Sequence, residues 1–312
     1  MRRCPITGEM LPSDHQGIYS QAGLRKLAPT LKQLNDLPFS QEEMILESAA
    51  RAGKMSVQGV QAKLSARLNT SAGQFEIVDK GGTFILKPPN PAYAHLPENE
   101  ALTMRLASTL GIEVPMHGLV RGKDGAWTYF VRRFDRPKRG QKLLVEDFAQ
   151  LSDHTRDTKY NASMEQVARV IADFATYPAV EYQQLFRRVV FCFLTGGEDM
   201  HLKNWSLVTR PPRVQLAPAY DLINTTIALR NPTEELALPL NGKKRRLTRN
   251  DLVGYFAHQR LGLTESLVNE ELGQIRLKTE KWPELIAASF LPEELQIAYV
   301  HVIQERSARL WL

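Results

Sequence analysis

The segment GGEDMHLKNW, residues 196–205, directly follows the apolar run LFRRVVFCFLTGG, residues 185–197. It places an aspartate, a histidine, a lysine and an asparagine within six positions, after a segment that predicts a buried helix. Asp199 and Asn204 lie five positions apart, and Asp221 follows after a strand-like run. An Asp-x4-Asn loop with a later strand-borne aspartate is the spacing of phosphoryl-transfer enzymes of the protein-kinase type.

This spacing suits phosphoryl transfer for a chemical reason. Asp199 would orient or deprotonate the attacking hydroxyl, while Asn204 and Asp221 would offer the oxygen ligands that magnesium prefers. The Asp-x4-Asn spacing alone is weak evidence, because it often occurs by chance. Of the residues between them, His201 suits a structural role as well as a functional one, and Lys203 is long enough to reach a γ-phosphate.

The N-terminal half supplies the other parts of such a site in kinase order. Residues 55–65, MSVQGVQAKLS, predict a glycine-bearing hairpin over phosphates, without the Gly-Lys-Ser/Thr of a Walker A loop. Residues 83–89, TFILKPP, predict a strand that ends at Lys87, a cation for the phosphates. The helix that follows offers Glu98 or Glu100 as the partner of this lysine. The candidate nucleotide-binding residues of the hairpin are Val57, Gln58, Gly59, Val60 and Gln61.

The whole chain predicts an α+β protein with two lobes. Residues 53–135 form the expected β-rich N-lobe, and residues 136–312 the mainly helical C-lobe with a short β patch. Residues 1–52 precede them as an extension. This extension reads as irregular up to Ser40, where a capping box with Glu43 predicts a helix.

Composition favours a soluble, reduced protein. The 312 residues are 43% hydrophobic and 24% charged, with a net charge of +6 and two cysteines, too few for a disulfide framework. No apolar run approaches the roughly 18–20 residues that span a bilayer, and no apolar stretch near the N-terminus predicts a secretory signal. We therefore expect a cytoplasmic protein. The basic clusters at 132–142 and 243–246 fit solvated loops, and they permit an acidic partner without requiring one.

Six segments together resemble the motifs of the HipA-like serine/threonine kinase toxins of bacterial toxin–antitoxin systems. They are SVQGVQAKLS, FILKPP, NEALTMRLA, VRRFDR, EDMHLKNWSL and LAPAYDL. The resemblance runs from about residue 53 to the C-terminus. It implies a protein-kinase-like fold related to that of the phosphoinositide kinases, with ATP and magnesium as cofactors.

The resemblance also implies a role for each motif residue. Lys87 would bind the ATP phosphates with Glu100 as its helix partner, Asp199 would be the catalytic aspartate, and Asn204 and Asp221 would hold magnesium. The VRRF segment would be the hinge that binds adenine through backbone groups. The remaining candidates for nucleotide binding are Arg132, Arg133 and Phe134 of this hinge, with His201 and Lys203 of the catalytic loop.

The sequence departs from the family pattern in two places. Ser56 matches the autophosphorylated loop serine, but the second phosphorylatable serine of some short members is replaced by Gln58 here. Long members also carry an additional N-terminal subdomain, which about fifty residues cannot hold. The chain therefore resembles the short, HipT-like type, in which a separate small protein can supply that subdomain.

The implied function is a toxin that phosphorylates an aminoacyl-tRNA synthetase or another translation protein. Its expected partners are the small subdomain-like protein and a DNA-binding antitoxin, with no membrane and no required nucleic-acid contact. Two other readings stay open: a small-molecule or lipid-headgroup kinase of the same fold, and a catalytically silent module in an antitoxin complex. The intact set of motif residues argues against the silent module, and delivery into another cell is an alternative to the cytoplasm of the producer.

Overall fold

The computed structural model describes residues 2–51, 61–138 and 140–311, which divide into two compact units. The first unit comprises Met1–Leu102, Pro115–Phe134 and Ala288–Leu291. The second unit comprises Thr103–Val114, Asp135–Ala287 and Pro292–Leu312. The domain boundaries at residues 53 and 136 stay a prediction, and the hairpin residues Ser56, Val57, Gln58, Gly59 and Val60 lie outside the described residues.

The first unit is built on a five-stranded antiparallel sheet with the strand order β2-β1-β3-β5-β4. Two helices precede the sheet in the chain, and a third follows β3. In chain order, the elements are α1 (Gln21–Leu27), α2 (Gln41–Arg51), β1 (Leu64–Asn69), β2 (Gln74–Ile77), β3 (Phe84–Lys87), α3 (Leu96–Thr109), β4 (His117–Arg121) and β5 (Trp127–Arg132).

Of the two N-terminal helices, the sequence predicts α2 but not α1. The capping box of α2 is present: the Glu43 N–H donates to Ser40 Oγ at 3.3 Å, and the Ser40 N–H donates to Glu43 Oε2 at 2.8 Å. Helix α1 lies in the stretch that was expected to be irregular. Its seven residues are too few for a clear period, and burial of Leu24 and Leu27 stabilises it.

Aromatic side chains from three strands form the centre of the first unit. The ring centroid of Phe75 lies 5.1 Å from those of both Phe84 and Phe130, and all three rings are buried. Leu64 and Leu86, on paired positions of β1 and β3, are buried in the same cluster. This packing fixes β3 in the middle of the sheet, and Lys87 is its last residue.

The second unit is mainly helical, with one small antiparallel sheet of order β6-β7-β8. The strands are β6 (Leu144–Asp147), β7 (Ser206–Arg210) and β8 (Arg213–Leu216). The helices are α4 (Phe148–Leu151), α5 (Met164–Phe174), α6 (Pro178–Thr195), α7 (Thr225–Ala228), α8 (Glu265–Thr279), α9 (Trp282–Ala287) and α10 (Glu293–Trp311), with a 3-10 helix at Leu202–Asn204 and a π-helix at Asn250–Arg260.

Helix α6 is the buried element of the second unit. Ten of the eleven residues Leu185–Thr195 are buried, and the other, Arg187, is partly exposed. Phe186 and Phe193 are fully buried. The prediction that Cys192 is a core residue is confirmed, since burial leaves it 1% exposed and raises the pKa of its thiol to about 12. Within the described part of the chain, every helix is too short or too polar to cross a membrane.

A matched pair of leucines in the first unit tests the importance of the sheet core. Leu86→Ala, at a fully buried position, is expected to lower the free energy of unfolding by about 2–5 kcal/mol because it leaves a cavity. Leu46→Ala removes the same atoms from a side chain that is 65% exposed, and we expect a change within about 0.5 kcal/mol. Urea denaturation of both variants measures the difference, and equal effects would show that β3 does not lie in a packed core.

Candidate active site

Lys87 is a buried cation at the end of β3. Its Nζ lies 2.5 Å from Glu100 Oε1 on α3, and both side chains are 1% exposed. The same Nζ lies 5.4 Å from the ring centroid of Tyr129, the residue that pairs with Lys87 across β3 and β5. Transfer of two charges out of water costs several kcal/mol per ion, so a buried ion pair is poor evidence for stability. Binding of ATP phosphates by Lys87 stays a prediction, and the structure shows that the lysine is paired with a glutamate of α3.

The structure separates the two candidate partners of Lys87. Glu100 lies on the side of α3 that contacts the lysine, and Glu98 Oε1 lies 3.1 Å from His95 Nδ1. Residues two positions apart on a helix point in different directions, so they do not share one partner.

The predicted hinge segment is tied into the sheet by its backbone. The N–H of Arg132 donates to Met116 O and the N–H of Arg133 donates to Thr83 O, each at 2.8 Å. The Arg132 guanidinium bonds to Leu27 O, and burial lowers the pKa of this group. These two amide hydrogens are therefore bonded within the protein, and adenine binding by this segment stays a prediction.

The segment that the sequence predicts to be the catalytic loop, residues 196–205, begins at Gly196, which ends α6. We refer to it as the catalytic loop. Gly196 has φ 68°, and a Cβ atom at this position would lie 2.5 Å from Thr226 Oγ1 and 2.8 Å from Asn224 Oδ1. Only glycine combines this left-handed conformation with the lack of a side chain. The Gly196 carbonyl oxygen also accepts the N–H of Thr225 at 2.9 Å. The start of the loop is therefore anchored to the segment that leads into α7.

Asp199 lies in this loop with its side chain about half exposed. Its Oδ1 accepts a hydrogen bond from Tyr160 Oη at 2.5 Å and lies 3.9 Å from His201 Nε2. Its backbone carbonyl oxygen accepts a hydrogen bond from Asn204 Nδ2 at 2.7 Å. The Asp199 carboxylate is therefore accessible to solvent, while the buried Asn204 side chain holds the Asp199 backbone.

Asn204 is oriented in a way that fits a magnesium ligand. Because its amide nitrogen donates to the Asp199 carbonyl, its Oδ1 is the atom left for a cation. The side chain is 8% exposed and starts from the 3-10 helix, where the Asn204 N–H donates to His201 O at 2.9 Å. The side-chain oxygen of Asn204 is therefore compatible with the magnesium site that the sequence predicts.

Asp221 follows Tyr220, whose hydroxyl bonds to Lys203 and Ser206 at the end of the catalytic loop. Tyr220 Oη donates to Lys203 O at 3.1 Å and also bonds to Ser206 Oγ, which fixes the segment after β8 against the 3-10 helix. Asp221 itself has φ 55°, a conformation that is uncommon for an aspartate and is often found at functional positions. It directly follows Tyr220 in the chain, so its backbone lies beside the residue that bonds to the 3-10 helix.

The described residues contain no cluster of three or more His, Cys, Asp or Glu side chains that could hold a metal by itself. A magnesium site here would consist of Asn204, Asp221, nucleotide oxygens and water, which is how magnesium is usually bound beside phosphates. The metal would neutralise charge on the transferred phosphoryl group.

The structure gives His201 and Lys203 specific partners. His201 is 5% exposed, its Nε2 lies 2.8 Å from Lys159 Nζ, and burial lowers its pKa. Lys203 Nζ lies 2.8 Å from Asp147 Oδ2, the carboxylate that caps α4. These contacts hold both side chains within the loop region, and nucleotide binding by His201 and Lys203 stays a prediction.

Sequence reasoning missed several residues around this loop. Lys159 and Tyr160 come from the connection between α4 and α5, and Tyr220 precedes the expected metal ligand. None of them belongs to a motif with fixed spacing, and Tyr160 lies 39 positions from Asp199. No local signal in the sequence predicts such long-range contacts.

Comparison with known proteins assigns the family. The family model described as the HipA-like C-terminal domain matches residues 55–282, which is more than two thirds of the chain. The chain belongs to the HipA-like C-terminal domain family. The resemblance drawn from six short motifs is therefore confirmed.

Curated relatives of this HipA-like chain are named as kinases. A Haemophilus influenzae protein named "Putative kinase" is 28% identical over 88% of this chain and 87% of its own length. "Putative kinase Y4dM" of Sinorhizobium fredii is 35% identical over 61% of this chain and 50% of its own length. The serine/threonine-protein kinase toxin HipA of Shewanella oneidensis is 29% identical over 55% and 43%. The HipA-like chain therefore spans half or less of the last two proteins, and the homology supports kinase activity in general.

Two solved structures share the fold of the HipA-like chain. The HipA–HipB toxin–antitoxin complex of Shewanella oneidensis with its operator DNA matches with a TM-score of 0.66 and 23% identity, over 94% of this chain and 74% of the matched one. The Helicobacter pylori proinflammatory kinase CtkA matches with a TM-score of 0.56 and 17% identity, over 82% and 91%. The predicted α+β, protein-kinase-like fold is confirmed.

The buried ion pair gives a stability test with an internal control. Glu100→Gln removes the carboxylate charge that lies 2.5 Å from the buried Lys87 ammonium, and we expect a loss of about 3–5 kcal/mol in the free energy of unfolding. Glu98→Gln removes the charge of a buried carboxylate that contacts His95, a side chain that is 41% exposed. Since glutamine can still form a hydrogen bond there, we expect a smaller loss of about 1–2 kcal/mol. Chemical denaturation compares the two, and equal losses would show that Glu100 is not the partner.

Proposed function

We propose that this protein is an ATP- and magnesium-dependent protein kinase that phosphorylates a serine or threonine of a bacterial protein. The observation that carries the proposal is the hydrogen bond from Asn204 Nδ2 to the Asp199 carbonyl oxygen. It leaves the asparagine oxygen available as a ligand and holds the Asp199 backbone, while the Asp199 carboxylate is about half exposed. This is what phosphoryl transfer requires, because its catalysis consists mostly of positioning and charge neutralisation.

Each site residue has a distinct role in this proposal. Lys87 binds ATP phosphates, and Glu100 holds the lysine in place. Asp199 accepts a hydrogen bond from the acceptor hydroxyl and orients it toward the γ-phosphate. Asn204 and Asp221 hold magnesium. Residues 53–135, with the hairpin and the hinge, are proposed as the nucleotide-binding lobe, and residues 136–312 as the catalytic lobe.

We further infer that the kinase is the toxin of a HipA-like system. The support is the family membership and the relative named as a serine/threonine-protein kinase toxin. The solved HipA neighbour is bound to HipB and operator DNA, so a DNA-binding antitoxin is a proposed partner here, with a small subdomain-like protein. An aminoacyl-tRNA synthetase or another translation protein in the cytoplasm is the proposed substrate.

Labelled ATP tests the proposed activity. The purified protein, incubated with γ-labelled ATP, magnesium and a bacterial lysate, is expected to label a protein other than itself. Asp199→Asn is expected to abolish the label and to leave ATP affinity within about twofold, since this carboxylate faces the acceptor. Asp173→Asn, an exposed aspartate on α5, is the matched control and is expected to stay active.

Two outcomes contradict this assignment. Label that appears only in lipid or metabolite fractions favours a small-molecule or lipid-headgroup kinase. Loss of ATP binding in Asp199→Asn, measured by calorimetry, shows that the residue belongs to the nucleotide site and is not the acceptor base.

Ser56 is the proposed site of autophosphorylation. A phosphate there adds about −1.5 to −2 charges to the hairpin, which would repel the ATP phosphates and compete for Lys87. Protein expressed in active form should therefore carry phosphate on Ser56 and bind ATP more weakly than dephosphorylated protein, while Asp199→Asn should carry none. Mass spectrometry and calorimetry measure both effects. An unmodified Ser56 in active enzyme rules the proposal out.

A further inference from the structure

A tyrosine from outside the catalytic loop is bonded to the catalytic carboxylate. Tyr160 lies in the connection between α4 and α5, and its Oη donates to Asp199 Oδ1 at 2.5 Å. A hydrogen bond to a charged acceptor is shorter and stronger than a neutral one. This contact is a direct hydrogen bond to the Asp199 carboxylate from a residue outside the loop.

The backbone and side chain of the preceding residue attach Tyr160 to the same loop. Lys159 O accepts the N–H of Leu202 at 3.2 Å, and Lys159 Nζ lies 2.8 Å from His201 Nε2. The Lys159 ammonium also lies 5.0 Å from the centroid of the Tyr160 ring. These contacts connect the two residues to consecutive positions of the catalytic loop.

The Tyr160 ring itself packs on the loop. It meets the His201 ring edge to face, with centroids 5.0 Å apart and an interplanar angle of 89°. His201 is 5% exposed, so it forms a fixed surface for the tyrosine. The ring position, and with it the direction of the hydroxyl, is therefore defined by the loop.

The hydroxyl stays a donor throughout the neutral pH range. Burial raises the pKa of Tyr160 well above its usual value, and the negative charge of Asp199 raises it further. A protonated phenol beside a carboxylate can only donate its hydrogen to it, so the direction of the bond is fixed.

We propose that Tyr160 is a positioning residue for phosphoryl transfer: its hydroxyl fixes Asp199 Oδ1, which directs Oδ2 to the acceptor hydroxyl. The proposal rests on the function proposed above and adds a residue that the sequence motifs do not contain. In the reaction, the acceptor oxygen forms a bond to the γ-phosphorus of ATP, and the bond from this phosphorus to the oxygen of ADP breaks. The acceptor proton passes to Asp199 Oδ2, while Tyr160 keeps its own proton.

The opposite reading gives Tyr160 the place of the acceptor. A hydroxyl bonded to the catalytic aspartate resembles a bound substrate hydroxyl, so the tyrosine would then block the site. The anchoring of Lys159 and the packing on His201 favour a permanent support. The two readings predict changes of opposite sign when the hydroxyl is removed.

Tyr160→Phe in the full-length protein separates them. The variant keeps the ring and loses only the hydrogen bond to Asp199. With γ-labelled ATP, magnesium and myelin basic protein as the acceptor, we expect kcat to fall about 5- to 50-fold, with the KM for ATP within about twofold of the wild type. The kcat is normalised to the number of nucleotide sites counted by calorimetry, so an unfolded fraction does not contribute to the loss.

Tyr255→Phe is the matched control, because it removes the hydroxyl of another tyrosine of the second unit, one whose pKa is raised by burial and by the nearby Glu165 carboxylate. This control is expected to keep the wild-type kcat. An unchanged or higher kcat in Tyr160→Phe overturns the positioning role, and a higher kcat with a lower KM for the acceptor protein supports the blocking reading instead. If the wild type itself transfers no phosphate to any acceptor, the proposed function fails before this comparison is reached.

Discussion

A buried ammonium group needs a negative partner, and this requirement governs the first unit. Glu100 on α3 supplies a carboxylate oxygen 2.5 Å from the Lys87 ammonium, and both side chains are 1% exposed. Strand β3 must therefore lie in the middle of the sheet, and α3 must present one particular face to its end. The aromatic packing of Phe75, Phe84 and Phe130 supplies the apolar burial that offsets the cost of these two charges.

The catalytic loop of the second unit is held by polar contacts from segments that are distant in the sequence. Gly196 ends α6 in a conformation that leaves no room for a side chain, and Thr225 binds its carbonyl oxygen. Asn204 and Tyr220 then fix the far end of the loop through the Asp199 and Lys203 carbonyl oxygens. A loop built in this way can present carboxylate and amide oxygens without a regular element beneath them.

The sequence predicted those parts whose signal is local. The segment at residues 83–89 predicted the strand that ends at Lys87, the capping box predicted α2, and the motifs together predicted the fold and the family. Helix α1, the π-helix at Asn250–Arg260 and the contacts of Tyr160 were not predicted, because they depend on packing and bonding between residues far apart in the chain. The choice between Glu98 and Glu100 also needed the direction of each side chain on α3.

The central claim is that Lys87 contributes to nucleotide binding and not to the stability of the fold. The double variant Lys87→Met with Glu100→Leu tests this, because well-packed apolar residues can replace a buried ion pair at little cost in stability. Calorimetry with a non-hydrolysable ATP analogue and magnesium is the measurement. We expect the double variant to stay folded and to lose at least about tenfold in nucleotide affinity. A folded double variant that binds the nucleotide as tightly as the wild type would contradict the account.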